Sequence, residues 1–254
     1  MIRGILFDLS GVFYIGQHVI PGAVEALNRI RASGIPYRFV TNVSRMPASR
    51  IISTLYSMGI EIDSEHLVTA PIAALAYINK HQLRPYILVH PELEYEFSGV
   101  NVSSPNAVLV GDAEDAFNYQ RLNEAFRLLI DGAEFLALGD NRYFKDQSGL
   151  CLDIGPFIKA LEFATDQKPT ILGKPSADFF SAAVRSMDCT NNEVVMIGDD
   201  VDTDVNGALS AGLLAILVRT GKFRAGDEMR LPNSKAIIRN DVVEAVNWVL
   251  QNSG

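Results

Sequence analysis

The chain of 254 residues is long enough for one large domain or two modest ones, and its 48% hydrophobic and 20% charged residues are typical of globular proteins. A formal net charge of −8 argues against a surface that binds nucleic acid or an anionic membrane. Since we find no signal-peptide pattern, no apolar run of the ~20 residues that a membrane helix needs, and only two widely separated cysteines, we expect a cytoplasmic protein without membrane or nucleic-acid partners.

Short apolar runs alternate with helical patterns near both ends of the chain. Ile5–Phe7 is wholly apolar, as in a parallel sheet that is covered on both faces. Alternation at these lengths predicts an α/β fold with a doubly wound, Rossmann-like parallel sheet. In chain order, we predict a strand at Ile5–Phe7, a helix from Pro21-Gly22 to Gly34, a strand at Tyr37–Val40, helices at Ser49–Met58 and Pro71–Lys80, a strand at Thr170–Leu172, a helix after Pro175, strands at Val194–Ile197, Ala215–Val218 and Ala236–Ile238, and a helix from Val242.

The middle of the chain, residues 83–168, carries its own strands and helices. Because polar turns at Asp8 and Thr41 precede this block and others at Lys174 and Asp199 follow it, we predict an inserted α/β cap domain at 83–168 and a catalytic core made of 1–82 and 169–254. Exposed apolar surface on such a cap would allow a homodimer. The predicted cap elements are strands at Tyr86–Val89, Ala107–Val110 and Phe135–Leu138, and helices at Tyr119–Leu129 and Phe157–Ala164.

One polar segment of the cap, Gly139–Gly149, contains Arg142, Tyr143 and Lys145. It is either a solvated turn or a loop that reaches a bound substrate, and the sequence favours neither.

Acidic residues follow two of the predicted strands directly. A single aspartate after a strand is common in turns, and acidic residues also favour helix N-termini. However, four aspartates lie within residues 199–204, and their repulsion would be relieved by a cation. Mg²⁺ prefers hard oxygen ligands. We therefore predict a Mg²⁺ site made by Asp8, the backbone carbonyl of Ser10, Asp199 and Asp204, with Asp204 binding directly or through water.

The same strand ends provide groups for phosphate chemistry. An ionised Asp8 is a competent nucleophile toward phosphorus and would form an aspartyl-phosphate. Thr41 and Asn42 form either a helix N-cap or a phosphate cradle of hydroxyl and backbone N–H groups. Lys174, in a Gly-Lys-Pro turn, would shield the nucleophile and the phosphate from mutual repulsion. We expect Gly11, Thr41, Asn42 and Lys174 to contact the phosphate group.

Together these residues resemble the haloacid dehalogenase superfamily of phosphatases, in the subclass whose cap lies between the second and third motifs. Within it, the chain is most similar to the phospholysine phosphohistidine inorganic pyrophosphate phosphatase group. The resemblance implies Mg²⁺-dependent hydrolysis of P–N or P–O–P bonds, in a small phosphorylated substrate or a phosphoprotein side chain, with the site roles predicted above. It rests on Asp8-Leu9-Ser10-Gly11-Val12, Thr41, Lys174 and Gly198-Asp199 with Asp204, and on stretches such as Arg142-Tyr143-Phe144-Lys145 and Arg219-Thr220-Gly221-Lys222-Phe223-Arg224.

Ser10 departs from the pattern of most superfamily phosphatases, which have an aspartate there that protonates the leaving group. We predict Asp8, Ser10 and Lys174 as the catalytic residues. Because a serine cannot protonate the leaving group near neutral pH, this site lacks general acid–base catalysis, which typically increases the rate ~10²–10⁴-fold. Phosphoramidates and pyrophosphate need that help less than alkyl esters do. An alternative is a phosphate-binding protein that lost efficient turnover through Ser10, although mere binding does not require the nucleophile Asp8.

Overall fold

The computed structural model describes residues 1–145, 149–231 and 236–253, so residues 146–148 of the predicted loop Gly139–Gly149 lie outside the described part. The strands are β1 Gly4–Phe7, β2 Tyr14–Ile15, β3 His18–Val19, β4 Tyr37–Thr41, β5 Leu67–Thr69, β6 Pro85–Leu88, β7 Ala107–Val110, β8 Glu134–Ala137, β9 Tyr143–Lys145, β10 Leu150–Leu152, β11 Thr170–Ile171, β12 Val194–Gly198, β13 Leu214–Val218 and β14 Ala236–Arg239. The α-helices are α1 Ala23–Ser33, α2 Ala48–Ser57, α3 Ala70–His81, α4 Tyr119–Ile130, α5 Ile154–Thr165, α6 Ala177–Arg185, α7 Gly207–Ser210 and α8 Val242–Asn252. Among the described residues, no helix combines the length and apolarity needed to cross a membrane.

A six-stranded sheet in the order β14-β13-β12-β1-β4-β5 forms the centre of the first unit. Strand β1 is buried throughout and pairs in parallel with β12 on one side and β4 on the other, with Phe7 opposite both Ile197 and Phe39. The chain therefore builds outward from β1 in both directions, which places a topological switch point at the C-terminal end of β1. The predicted α/β class with a Rossmann-like parallel sheet is confirmed.

A second sheet, in the order β11-β8-β7-β6, is parallel throughout and belongs to the other unit. Its strand β7 is wholly buried. Side chains of helices α3, α4 and α5 share one apolar core with this sheet, among them Ile78, Leu129 and Ile158. Strand β9 lies within the predicted polar loop Gly139–Gly149, and it pairs antiparallel with β10, which follows that loop.

The chain divides into two compact units, the first made of 1–41, 48–68 and 174–254 and the second of 42–47 and 69–173. The second unit thus begins earlier than the predicted boundary at residue 83 and also includes a separate segment, 42–47. Helix α3 explains the difference at residue 83, because its residues Ala70, Ala74 and Ile78 are buried in the core of the second unit.

The prediction that Thr170–Leu172 contributes a strand to the first sheet is wrong. The strand β11 pairs with β8, with Thr170 opposite Leu136, and so extends the second sheet. The sixth strand of the first sheet is instead β5, which was not predicted. Both runs are so short that local sequence carries little information about the sheet they join.

Candidate active site

The nucleophile candidate Asp8 follows β1 directly, and its backbone N–H donates to the carbonyl of Ile197 over 2.9 Å. The chain then turns sharply. Gly11 has φ +86°, a conformation that favours glycine, and its N–H donates to the carbonyl of Tyr14 over 2.7 Å. Asp8 is only 7% exposed, whereas Ser10 is exposed. The buried end of the central strand therefore presents a carboxylate beside a tight turn.

Lys174 joins two of the buried aspartates. Its Nζ lies 2.5 Å from Asp8 Oδ1 and 2.6 Å from Asp204 Oδ1. Burial works against the charged lysine, but the charges of Asp204 and Asp8 raise its pKa, so the ammonium form persists. Although β11 belongs to the second sheet, Lys174 itself lies in the first unit and contacts Asp8 at the end of β1.

Asp204 lies in a π-helical segment, Val201–Asn206, which is separated from the end of β12 by Asp199 and Asp200. Its Oδ2 accepts a hydrogen bond of 3.1 Å from the backbone N–H of Asp200. Gly198 makes room for it, since a Cβ at residue 198 would lie 2.3 Å from the Cβ of Asp204. Single π-helical turns are often found at functional sites. Here the wide turn places a second buried carboxylate, after that of Asp8, against Lys174.

Asp199 is enclosed by two glycines that come from distant parts of the chain. A Cβ at either Gly11 or Gly221 would lie 2.0 Å from Asp199 Oδ2. The same oxygen accepts a 2.6 Å hydrogen bond from the backbone N–H of Lys222. Only residues without a side chain allow the backbone to come this close to the carboxylate.

The carboxylates of Asp8, Asp199 and Asp204 each offer an oxygen within 4.8 Å of the others. Burial, together with the charges of Asp8 and Asp204, raises the pKa of Asp199 to about 8. Burial also raises the pKa of Asp204 to about 6, even though Lys174 opposes this change. The ammonium of Lys174 contacts two members of this group, and a single positive charge leaves three ionised carboxylates with uncompensated negative charge. Hard oxygen donors with excess negative charge fit a divalent cation such as Mg²⁺.

The other two aspartates of the run 199–204 have different partners. Asp200 Oδ1 accepts from the backbone N–H groups of Asp202 and Thr203, over 3.0 and 3.1 Å, and so caps the π-helical segment. Burial opposes ionisation of Asp200, but the charge of Lys222 and these backbone hydrogen bonds lower its pKa overall. Asp202 pairs with Arg230. Half of the acidic run therefore has a local structural role.

Two of the predicted phosphate-binding residues lie on opposite sides of a unit boundary. Thr41, the last residue of β4, belongs to the first unit and is 3% exposed. Asn42 belongs to the second unit, where its Oδ1 lies against Gly173, since a Cβ at residue 173 would come within 2.8 Å of that atom. That Gly11, Thr41, Asn42 and Lys174 contact phosphate stays a prediction.

The loop after β13 supplies contacts that were not predicted from the sequence. Thr220 donates its hydroxyl hydrogen to the carbonyl of Gly11 in a short hydrogen bond. Lys222 contributes its backbone N–H to Asp199, and its Nζ lies 3.3 Å from Asp200 Oδ2. A Thr-Gly-Lys sequence one residue after the end of a largely buried strand is the signal that could have pointed to this loop.

Comparison with known proteins places this site in a family. The family described as haloacid dehalogenase-like hydrolase matches residues 5–103, and a related HAD-hydrolase-like family matches residues 171–245. The chain therefore belongs to the haloacid dehalogenase-like hydrolases.

Proteins that match almost the whole chain indicate which kind of hydrolase this chain is similar to. Haloacid dehalogenase-like hydrolase domain-containing protein 2 of Rattus norvegicus is 42% identical over 252 residues, which cover 99% of this chain and 97% of the relative. Phospholysine phosphohistidine inorganic pyrophosphate phosphatase of Danio rerio is also 42% identical, over 258 residues that cover 99% of this chain and 95% of the relative. The crystal structure of a 4-nitrophenylphosphatase from Thermotoga maritima superposes with a TM-score of 0.89 at 25% identity, covering 97% of each chain. The prediction of a hydrolase of phosphatase type is confirmed.

Proposed function

We propose that this enzyme is a Mg²⁺-dependent phosphatase that works through an aspartyl-phosphate on Asp8 and hydrolyses P–N bonds or pyrophosphate. The observation that carries the proposal is the buried group of Asp8, Asp199 and Asp204 with Lys174 in contact with two of them. A buried excess of carboxylates is costly to maintain unless a bound cation compensates it. Binding of phosphate alone would not need an aspartate at position 8.

Asp8, Asp199, Asp204 and the backbone carbonyl of Ser10 are the groups that would hold Mg²⁺. When bound, the ion supplies positive charge that offsets the carboxylates and the incoming phosphoryl oxygens. Burial raises the pKa of Asp199 and of Asp204, and the neighbouring lysines do not offset this rise.

Asp8 acts as the nucleophile in the proposed reaction. Its carboxylate oxygen attacks phosphorus while the bond from phosphorus to the leaving group breaks, and the leaving group keeps the electron pair. Lys174 holds Asp8 through the 2.5 Å contact and reduces its repulsion from the phosphate. Water then attacks the phosphorus of the aspartyl-phosphate, which releases inorganic phosphate and restores the Asp8 carboxylate. Gly11, Thr41 and Asn42 are proposed to bind the phosphate oxygens.

The substrate class follows from Ser10 and from the relatives. A serine at this position cannot protonate a leaving group near neutral pH, so poor alkoxide leaving groups should react slowly. A phosphoramidate can be protonated on nitrogen, and pyrophosphate departs as a stabilised phosphate. The name of the Danio rerio relative describes action on phospholysine, phosphohistidine and pyrophosphate. We infer the same class here, as a small molecule or as a phosphorylated protein side chain.

A substrate panel with matched variants tests the proposal. Phosphate release would be measured from imidodiphosphate, pyrophosphate and a sugar phosphate, with and without Mg²⁺, for wild type, Ser10→Asp and Ser10→Asn. Wild type should hydrolyse imidodiphosphate and pyrophosphate, and it should do so only when Mg²⁺ is present. Ser10→Asp should raise the kcat/KM ratio of sugar phosphate to imidodiphosphate by up to ~10²-fold, whereas Ser10→Asn, which has a similar shape but no acid, should not.

The same panel separates the proposal from its alternative. Binding of phosphate without turnover of any substrate would favour a phosphate-binding protein that lost catalysis at Ser10. Turnover that persists without a divalent cation would exclude the proposed mechanism.

A further inference from the structure

The loop Arg219–Lys222 after β13 contacts two parts of the candidate site, the turn that follows β1 and Asp199 at the end of β12. The Thr220 hydroxyl donates to the carbonyl of Gly11, in the turn that follows the nucleophile. Two residues later, the backbone N–H of Lys222 donates to Asp199 Oδ2 over 2.6 Å. One short loop therefore ties the turn after β1 to the carboxylate after β12.

Gly221, between these two donors, shows how closely the loop fits. It has φ +62°, and a Cβ there would lie 2.0 Å from Asp199 Oδ2 and 2.5 Å from the Cα of Gly11. Gly11 meets the same carboxylate oxygen from its own side, since its Cβ would also lie 2.0 Å away. The Asp199 carboxylate is thus held between two backbone segments, and the Thr220 hydrogen bond joins those segments directly.

The side chain of Lys222 has a separate partner. Its Nζ lies 3.3 Å from Asp200 Oδ2, while the bond to Asp199 comes from the backbone. Side-chain changes at residue 222 would therefore alter the charge of the site without removing the bond to Asp199. Thr220 is the residue at which a single side-chain change interrupts the connection.

We propose that Thr220 is a positioning residue for metal binding: its hydroxyl fixes the Gly11 turn against Asp199, so that the carboxylate and the Ser10–Gly11 backbone are held in place before the ion arrives. This inference rests on the proposed Mg²⁺ site. Groups that orient metal ligands without touching the ion commonly change metal affinity 10–100-fold when they are removed.

The test compares Thr220→Val, which keeps the shape and removes the hydroxyl, with Thr220→Ser, which restores it. Thr165→Val is the matched control, because the Thr165 hydroxyl also donates to a backbone carbonyl, that of Leu161 over 2.8 Å, but in helix α5 of the second unit. Mg²⁺ affinity would be measured by calorimetry with Mg²⁺ alone as the titrant, and thermal stability in parallel. If Thr220→Val does not fold, Thr220→Ala takes its place.

Thr220→Val should weaken Mg²⁺ binding at least ~10-fold, Thr220→Ser should bind nearly as wild type does, and Thr165→Val should change stability alone. In turnover assays, the loss in Thr220→Val should shrink as Mg²⁺ approaches saturation. Unchanged Mg²⁺ affinity in a folded Thr220→Val protein would overturn this inference while leaving the proposed function intact. Absence of Mg²⁺ binding in wild type would instead overturn the proposed function itself.

Discussion

Each of the two units buries aspartates beside a cation, but the large rises in carboxyl pKa are those of Asp199 and Asp204 in the first unit. In the second unit, Arg45 grips both oxygens of Asp112, with Nε 2.5 Å from Oδ2 and Nη2 3.3 Å from Oδ1. A third guanidinium nitrogen lies 3.4 Å from Glu114, and the guanidinium carbon lies 4.2 Å from the centre of the Phe144 ring. Asp153 accepts from the N–H of Ile154 at the start of α5, and burial raises the pKa of Asp153 although this hydrogen bond opposes the rise. Here each acceptor has a donor with matching geometry.

In the first unit, the negative charge of the aspartates exceeds the positive charge of the lysine that contacts them. The compact ammonium of Lys174 contacts Asp8 and Asp204, and Asp199 has a backbone N–H as its partner. The pKa of Asp199 rises to about 8 in these surroundings. Comparison of the two groups teaches that burial of aspartates does not itself indicate a functional site. The informative property is whether the surrounding donors are sufficient to compensate their charge.

The largest expected difference between the two groups is in turnover. Asp8→Asn should lower kcat by at least ~10³-fold, because an amide of nearly the same shape is a poor nucleophile. Asp112→Asn, the same chemical change in the second unit, should keep kcat near that of wild type. Circular dichroism would check that both variants are folded. Comparable activity in Asp8→Asn and wild type would exclude the covalent mechanism.

A second difference should appear in how stability depends on pH without metal. The pKa of Asp199 is about 8 in the folded protein and 3.8 ordinarily, so the folded state disfavours the charged form. The stability that this group contributes is therefore fully present below pH 4 and is lost as the pH rises through 8. Mg²⁺ should restore it, and the rise in Tm on adding Mg²⁺ should be greater at pH 8 than at pH 5.

Asp199→Asn provides the control for this pH effect. Relative to this variant, metal-free wild type should lose at least about 2 °C in Tm between pH 5 and 8, the shift expected from 1–2 kcal/mol in a chain of this size. Differential scanning calorimetry in the presence of a chelator measures it. If Tm changed with pH in the same way in both proteins, Asp199 would not be the group that carries the excess negative charge.

The third difference concerns the second unit and should be confined to stability. Asp112→Asn leaves Arg45 with a neutral partner, and we expect a loss of about 1–3 kcal/mol in the free energy of unfolding. Glu114→Gln changes a half-exposed side chain and should cost less than about 0.5 kcal/mol. Denaturant titration measures both. A change in Mg²⁺ affinity in Asp112→Asn would contradict a purely structural role for this group.

The core of the site could be predicted from the sequence because each of its residues carries a local signal. Asp8 and Asp199 directly follow buried strands, and Lys174 lies in a glycine–proline turn. Contacts between distant segments carry no such signal. The hydrogen bond from Thr220 to Gly11 joins residues at opposite ends of the chain, and the pairing of β11 with β8 depends on the rest of the second sheet. The sequence thus predicted which residues lie together at the strand ends better than which residues hold them in place.

The boundaries between the units have a consequence for anyone who would exchange the second unit between relatives. Two crossings of the chain fall at single peptide bonds beside site residues, between Thr41 and Asn42 and between Gly173 and Lys174. The second unit is also discontinuous, and its small segment, 42–47, carries the Arg45 that binds Asp112. A chimera that transplants only 69–173 would combine an arginine from one parent with its aspartate from the other. The transferable module is therefore a pair of segments, and both must come from the same donor protein.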